Sequence, residues 1–187
     1  MARDEQWFRS LLDEDGVLSD AADLGMNERQ CFRVFSQDAA PKIRSGKWAE
    51  FAQRFTDTRL GITTDKRYGM RDIVRDAARV VLSRDTLRAT RLVMVRAATD
   101  ADVSHAEAGE RASGTYGMAA LAKRCKTVFV VETQAADDSR DDAALLLCAI
   151  LAGTELGPIV APDASDIIGF KTAWTRFSES KKDAPYR

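Results

Sequence analysis

The chain is poor in metal-binding and cross-linking residues. It has one histidine, His105, and three widely spaced cysteines, Cys31, Cys125 and Cys148. No Cys-x-x-Cys pair or Cys/His cluster occurs, which excludes a structural zinc site and a disulfide framework. The cysteines are expected as reduced, buried small hydrophobes. Four prolines and 11 glycines exclude collagen-like and proline-rich classes. The longest apolar run, Ala143 to Ala152, falls short of the roughly 20 residues that span a bilayer. The acidic start, MARDEQWFRSLLDEDG, has no apolar core and is not expected to act as a signal peptide. Neither a Walker motif nor GxGxxG occurs, so no cofactor is expected. An excess of one charge is also missing. Lys and Arg number 28 against 29 Asp and Glu, which excludes a uniformly basic protein.

What remains is a globular composition: 187 residues, 45% hydrophobic and 30% charged. A chain this long buries roughly 70% of its unfolded surface without a staple. It is expected to be soluble and intracellular, in the cytoplasm or, for a coat protein, in a virion.

The near-zero net charge conceals a partition. Residues 1–40 balance at −5, residues 41–96 at +8 and residues 97–187 at −4. A basic middle between acidic ends suits a polyanion, and it lets neighbouring copies attract one another. A homo-oligomer on nucleic acid, away from membranes, is the expected set of partners.

Apolar spacing organises the chain. Short helices are expected over residues 4–13 and 19–24, the second stopped by Gly25. Asn27 and Gln30 are spaced as in a capping box and open a helix to Asp38, with Cys31, Val34 and Phe35 inward. Trp48, Phe51, Ala52 and Phe55 mark another helical face. From Tyr68 to Leu82, Ile73, Val74, Ala77, Val80 and Val81 fit a helix whose far side carries Arg67, Arg71, Arg75 and Arg79. Strands are expected at Arg91–Arg96, at Thr127–Thr133 and at Pro158–Ala161. Between them lie a helix over 103–124 broken near Gly114, an all-apolar helix from Asp141 to Gly153, and a last helix from Asp163 to Ser178. The expected fold is therefore α-rich. A helical region over 1–90 precedes a small α/β, βαβαβα-like region over 91–180, and residues 181–187 form a frayed tail. The alternative is an all-α fold.

Ala21, Leu24, Gly25, Met26, Cys31 and Val34 fall where a helix–turn–helix needs a small residue, an apolar contact, a turn glycine and three further apolar contacts. Over residues 17–38 the stretch resembles the AraC-type helix–turn–helix, with Gly25-Met26-Asn27 followed by Arg33 and Phe35. It departs from that pattern at Asp20 and at Ala39-Ala40-Pro41. The resemblance implies a second helix that reads DNA, with Arg29 and Arg33 exposed.

The expected function is non-enzymatic nucleic-acid binding, with candidate contacts Arg29, Arg33, Arg67, Arg71, Arg75, Arg79, Arg84 and Arg88. Arginine favours bidentate phosphate contact. One version is a DNA-binding regulator that uses the helix–turn–helix. Another is a coat or nucleocapsid protein assembling on nucleic acid. A third class is a small α/β enzyme that gathers Asp100, Glu132 and Asp163 at strand ends around a divalent ion. No catalytic or metal-binding residue is assigned.

Overall fold

The computed structural model describes residues 26, 30–40, 42–68, 73–134 and 141–180; the side chains of residues 65–76 lie outside that description. The expected helices over 4–13 and 19–24, the turn at Gly25 and the tail at 181–187 also lie outside the described residues. Seven strands form one antiparallel sheet: β1 (Phe32–Ser36), β2 (Arg59–Tyr68), β3 (Ile73–Arg84), β4 (Leu87–Ala97), β5 (Thr127–Val131), β6 (Ile159–Val160) and β7 (Ile167–Ile168). Their order across the sheet is β2-β3-β4-β5-β1-β6-β7. Five helices are described: α1 (Ser45–Thr56), α2 (Asp100–Ser113), α3 (Met118–Arg124), α4 (Asp142–Glu155) and α5 (Phe170–Ser180).

This mixed α/β architecture overturns the α-rich expectation, and the all-α alternative with it. Two segments read as helices are strands. In Phe32–Ser36 the apolar residues face both ways: Val34 enters one core and Phe35 the other. A strand buried on both faces loses the polar–apolar alternation that would mark it. In β3 the four-residue arginine spacing misleads, because four residues return to nearly the same side in a helix and to the same side in a strand. The β-branched Ile73, Val74, Val80 and Val81 favour the strand, and neighbours on both sides complete it. Strands from both sides of residue 90 share the one sheet.

Other expectations hold. Strands cover Arg91–Arg96, most of Thr127–Thr133 and Ile159–Val160. The segment 103–124 is two helices, α2 and α3, with Gly114 at φ 68° closing the first. The last helix starts later than expected, at Phe170, because Ile167–Ile168 pairs with β6 as an edge strand.

Two cores flank the sheet. The larger lies under α4, whose residues Ala143 to Ala152 are all buried. It joins Val34, Val80, Leu82, Val93, Val95 and Phe129 of the sheet to Trp48 and Ala52 of α1 and to Ala173 and Phe177 of α5, and it contains Cys148. Trp48 meets Phe129 edge to face at 5.5 Å. The smaller core lies on the other face, where Ala106 of α2 and Ala122 of α3 cover Phe35, Val128, Val130 and Val160, together with Cys31 and Cys125. All three cysteines are buried. Among the described residues no helix is long and apolar enough to cross a membrane.

Gly157, between α4 and β6, sits where the chain passes β1. A Cβ there would lie 1.9 Å from the Phe35 carbonyl oxygen, a backbone atom with no freedom to yield. Gly157→Ala should therefore cost about 3 kcal/mol and lower Tm by about 6–12 °C. A Cβ added at Gly46, in the first turn of α1, would meet nothing within 4 Å. Gly46→Ala should raise stability by about 0.5–1 kcal/mol. Paired thermal melts check both signs.

Candidate nucleic-acid interface

The faces of β2, β3 and β4 alternate. Ala78, Val80 and Leu82 turn towards α4, and so do Val93 and Val95. The opposite set is read across the ladder: Arg59 pairs with Ser83 and Ser83 with Arg88; Thr63 pairs with Arg79 and Arg79 with Leu92; Gly61 pairs with Val81 and Val81 with Thr90. On this second face Arg59, Gly61, Thr63, Arg79 and Arg88 are exposed. The covering by α2 and α3 lies over β5, β1 and β6. Among the described residues the sheet thus has three layers at one end and an open face at the other.

Among the described side chains, three guanidiniums occupy this open face. Arg59 and Arg88 flank Ser83 in one row, two strand spacings or roughly 10 Å apart at their backbones. Arg79 stands four residues along β3 from Ser83, roughly 13 Å away. None of the three makes an ion pair with a described residue. At these rows the face carries no carboxylate and adds the hydroxyls of Thr63, Ser83 and Thr90.

The remaining candidates divide. Arg29 and Arg71 lie outside the described residues, and Arg67 and Arg75 are placed on β2 and β3 by their backbones alone. Arg84 is on the opposite face, stacked over Trp174 at 4.7 Å and over Phe177 at 5.4 Å, and ion-paired with Asp85. It serves packing between β3 and α5. Arg33 is not on an exposed recognition helix but on strand β1, with its Nε donating to Asp102 Oδ1 at 3.1 Å. Arg59 is not among the residues that the arginine spacing singles out. The alternation of Arg59, Gly61 and Thr63 with Leu60 and Ile62 is the sequence signal that marks it.

Asp102 is the centre of a buried polar cluster. Arg96 donates to both of its oxygens, at 2.6 and 3.0 Å, and Thr99 donates to Oδ2 through its backbone N–H at 2.9 Å and its hydroxyl at 2.8 Å. The carboxylate and Thr99 form the capping box that starts α2. Burial raises the Asp102 pKa, but the bonds from Arg96 and Thr99 outweigh it and bring the group down to about 2. This cluster fastens the third layer to β1 and β4.

The acidic residues considered for a metal are apart in role. Asp100 is exposed at the start of α2, Glu132 accepts from the Leu92 backbone N–H at 3.1 Å, and Asp163 accepts from Ser165 N–H at 3.0 Å. Among the described residues no group of three His, Cys, Asp or Glu side chains is arranged to hold a metal ion. His105 Nε2 contacts the Ala161 carbonyl oxygen at 3.0 Å.

The Asp102 pKa is depressed, so its contribution is present above the unfolded value of 3.8 and is lost as pH falls through about 2. That contribution is about 2 kcal/mol. The stability gap between the native chain and Asp102→Asn, from urea unfolding at a series of pH values, should narrow by about that amount between pH 5 and pH 2. A gap independent of pH would show that the ion pairs add nothing. No protein-family model, curated protein or solved structure matches this chain.

Proposed function

We propose that this chain is a non-enzymatic nucleic-acid-binding protein that grips phosphates with the open face of β2, β3 and β4. The observation that carries the reading is the triangle of exposed Arg59, Arg79 and Arg88, none ion-paired with a described residue, on a face without a described carboxylate at those rows. The Arg59 and Arg88 backbones stand roughly 10 Å apart, about one Debye length at 0.1 M salt, so an anion between such cations is favoured. A phosphate backbone supplies a series of such anions and releases its own counterions on binding. Threonine and serine hydroxyls on the same rows suit phosphate oxygens.

Binding rather than catalysis is supported by what the buried acids do. Asp102 caps α2, Asp141 caps α4, and Glu155 accepts from Trp48 Nε1 at 3.0 Å and Ser36 Oγ at 3.2 Å. Each is committed to holding elements together. The burial of all three cysteines fits a reducing cytoplasm. The opposite charge balances of residues 1–40 and 41–96 support association between copies along one nucleic acid.

The triple variant Arg59→Gln/Arg79→Gln/Arg88→Gln should keep its Tm within about 2 °C, because the three side chains are exposed. Its affinity for a 20-base-pair duplex should fall, and the slope of log K against log salt should flatten by about 3. Lys123→Gln/Arg124→Gln, two exposed cations on α3, should change neither. Equal losses in both variants would remove the open face as the interface.

A further inference from the structure

At the β7 end of the sheet, on the side of α4, a cavity of about 180 Å³ opens between the strands and α5. Its floor is apolar: Phe32 of β1, Leu145 of α4, Ile159 of β6 and Ile168 of β7. Ile159 and Ile168 are directly paired across the two strands, so their side chains share one face, and both are buried. Two residues of opposite charge form the rim, Asp166 just before β7 and Arg176 of α5, and both are partly exposed. Arg176 Nη1 donates to Asp166 Oδ2.

The acidic half of this rim is held from the other side of the sheet. The turn from β6 to β7 closes on itself: the Ala161 N–H donates to the Asp166 carbonyl oxygen at 3.0 Å, and the Ala164 N–H to the Ala161 carbonyl oxygen at 3.0 Å. Ala164 takes φ 55°, in the left-handed region that alanine seldom adopts. Helix α2 fixes both ends of the turn. His105 Nε2 lies 3.0 Å from the Ala161 carbonyl oxygen. At Gly109 the helix passes so close that an added Cβ would stand 3.0 Å from the Asp166 carbonyl oxygen. Asp166 is therefore presented by a turn already set in place, and a ligand that uses it pays little to order the site.

We infer that this cavity binds a free aliphatic α-amino acid. The site is separate from the open face, which lies at the other end of the sheet and on its opposite side, and the inference does not rest on the nucleic-acid reading. Charge complementarity decides the ligand class. A ligand seated in the mouth takes the rim pair out of water, and each desolvated charge then needs a partner. An apolar carboxylate satisfies Arg176 but is repelled by Asp166. An apolar amine satisfies Asp166 but is repelled by Arg176. An α-amino acid carries its ammonium and carboxylate on one carbon, so it meets both members of a bonded pair at once. A guanidinium has further N–H donors and a carboxylate a second oxygen, so the rim pair need not separate to bind it. Size and floor narrow the class. The cavity is smaller than the roughly 300–1,000 Å³ of pockets that bury drug-sized ligands, which excludes a nucleotide. Leu145, Ile159 and Ile168 suit a branched aliphatic side chain: leucine, isoleucine or valine.

The test is calorimetric titration of the full chain with leucine, isoleucine and valine, and with phenylalanine, leucinamide and isocaproate. Leucinamide keeps the ammonium and lacks the carboxylate, as the first residue of a peptide does. Isocaproate keeps the carboxylate and lacks the ammonium. Leucine, isoleucine or valine should bind saturably. Leucinamide and isocaproate should each bind about 10- to 150-fold more weakly than leucine, the factor for one lost hydrogen-bonded charge. Arg176→Gln and Asp166→Asn should each weaken the aliphatic amino acids by the same factor, with the fold checked by thermal melting. Should Asp166→Asn disturb its turn, Arg176→Gln, a partly exposed position on α5, carries the comparison. Methyl NMR gives the location: the ligand should shift the signals of Ile159 and Ile168 and leave that of Ile62, on β2, in place. The inference is overturned if none of the three amino acids binds saturably, or if leucinamide or isocaproate binds as tightly as leucine. Tighter binding of phenylalanine, native affinity in Arg176→Gln, or unmoved Ile159 and Ile168 signals also overturns it.

Discussion

An apolar helix that must be covered on every side organises this protein. Leu145, Leu146, Leu147, Ile150 and Leu151 of α4 point around its whole circumference, and all are buried. At about 1.5–3 kcal/mol for each such side chain, their burial amounts to on the order of 10 kcal/mol before entropy is counted. One sheet face cannot enclose a helix, so α1 and α5 close over it from the sides away from the strands. The ends of α4 are then fixed by buried carboxylates. Asp141 accepts from the backbone N–H of Ala144 at 2.9 Å and from Arg91 of β4 at 2.9 and 2.6 Å. Burial raises its pKa, but the Arg91 pair and the Gln134 and Ala144 N–H groups prevail and hold it below the ordinary range. At the other end the Glu155 carboxylate faces the negative pole of the helix dipole. Trp48, Ser36 and, at 4.0 Å, Lys47 compensate there. The apolar contacts supply the energy, and the two carboxylates set where along the sheet the helix lies.

The opposite face is covered unevenly. Helices α2 and α3 are short and rich in alanine, and they cover β5, β1 and β6. The Arg33–Asp102–Arg96 cluster ties that layer to β1 and β4, the strands on either side of β5. Past β4 the described side chains of the same face are mostly polar or small, Arg59, Gly61, Thr63, Arg79 and Ser83, with Val81 among them. Incomplete covering is thus written into alternate residues of β2 and β3. The face towards α4 keeps its apolar row of Ala78, Val80, Leu82, Val93 and Val95, and this anchors the arms of the sheet.

The second half of the chain is legible because its elements are locally consistent. Val128 to Val131 is a run of β-formers, Asp141 precedes an apolar helix, and Gly114 sits where a helix must turn left-handed at its end. The first half is not, because its strands hide their period. In β1 a central position buries successive residues on opposite faces, and in β3 arginines every fourth residue satisfy both periodicities. The grouping of Arg79 with Arg88 can be reached from sequence only by fixing the two-residue turn at Asp85-Thr86, where Asp85 takes φ 48°. Arg59 and the ion pairs of Asp102 depend on long-range strand order, which local spacing does not encode. Arg33 shows the same limit: its neighbours in sequence fit a recognition helix, and its neighbours in space are a buried aspartate and a sheet.

The distribution of thiols between the two cores has a further consequence. Cys148 lies beneath α4, and Cys31 and Cys125 lie in the layer under α2 and α3. Burial pushes the Cys148 thiol well above its ordinary pKa and also raises that of Cys125. Neither is an effective nucleophile while its core is closed. The molecule therefore carries an internal clock for each side of its sheet. The moment at which a given sulfur becomes reactive dates the opening of that layer, and the interval between the two dates measures how far the layers come apart as one cooperative unit or as two.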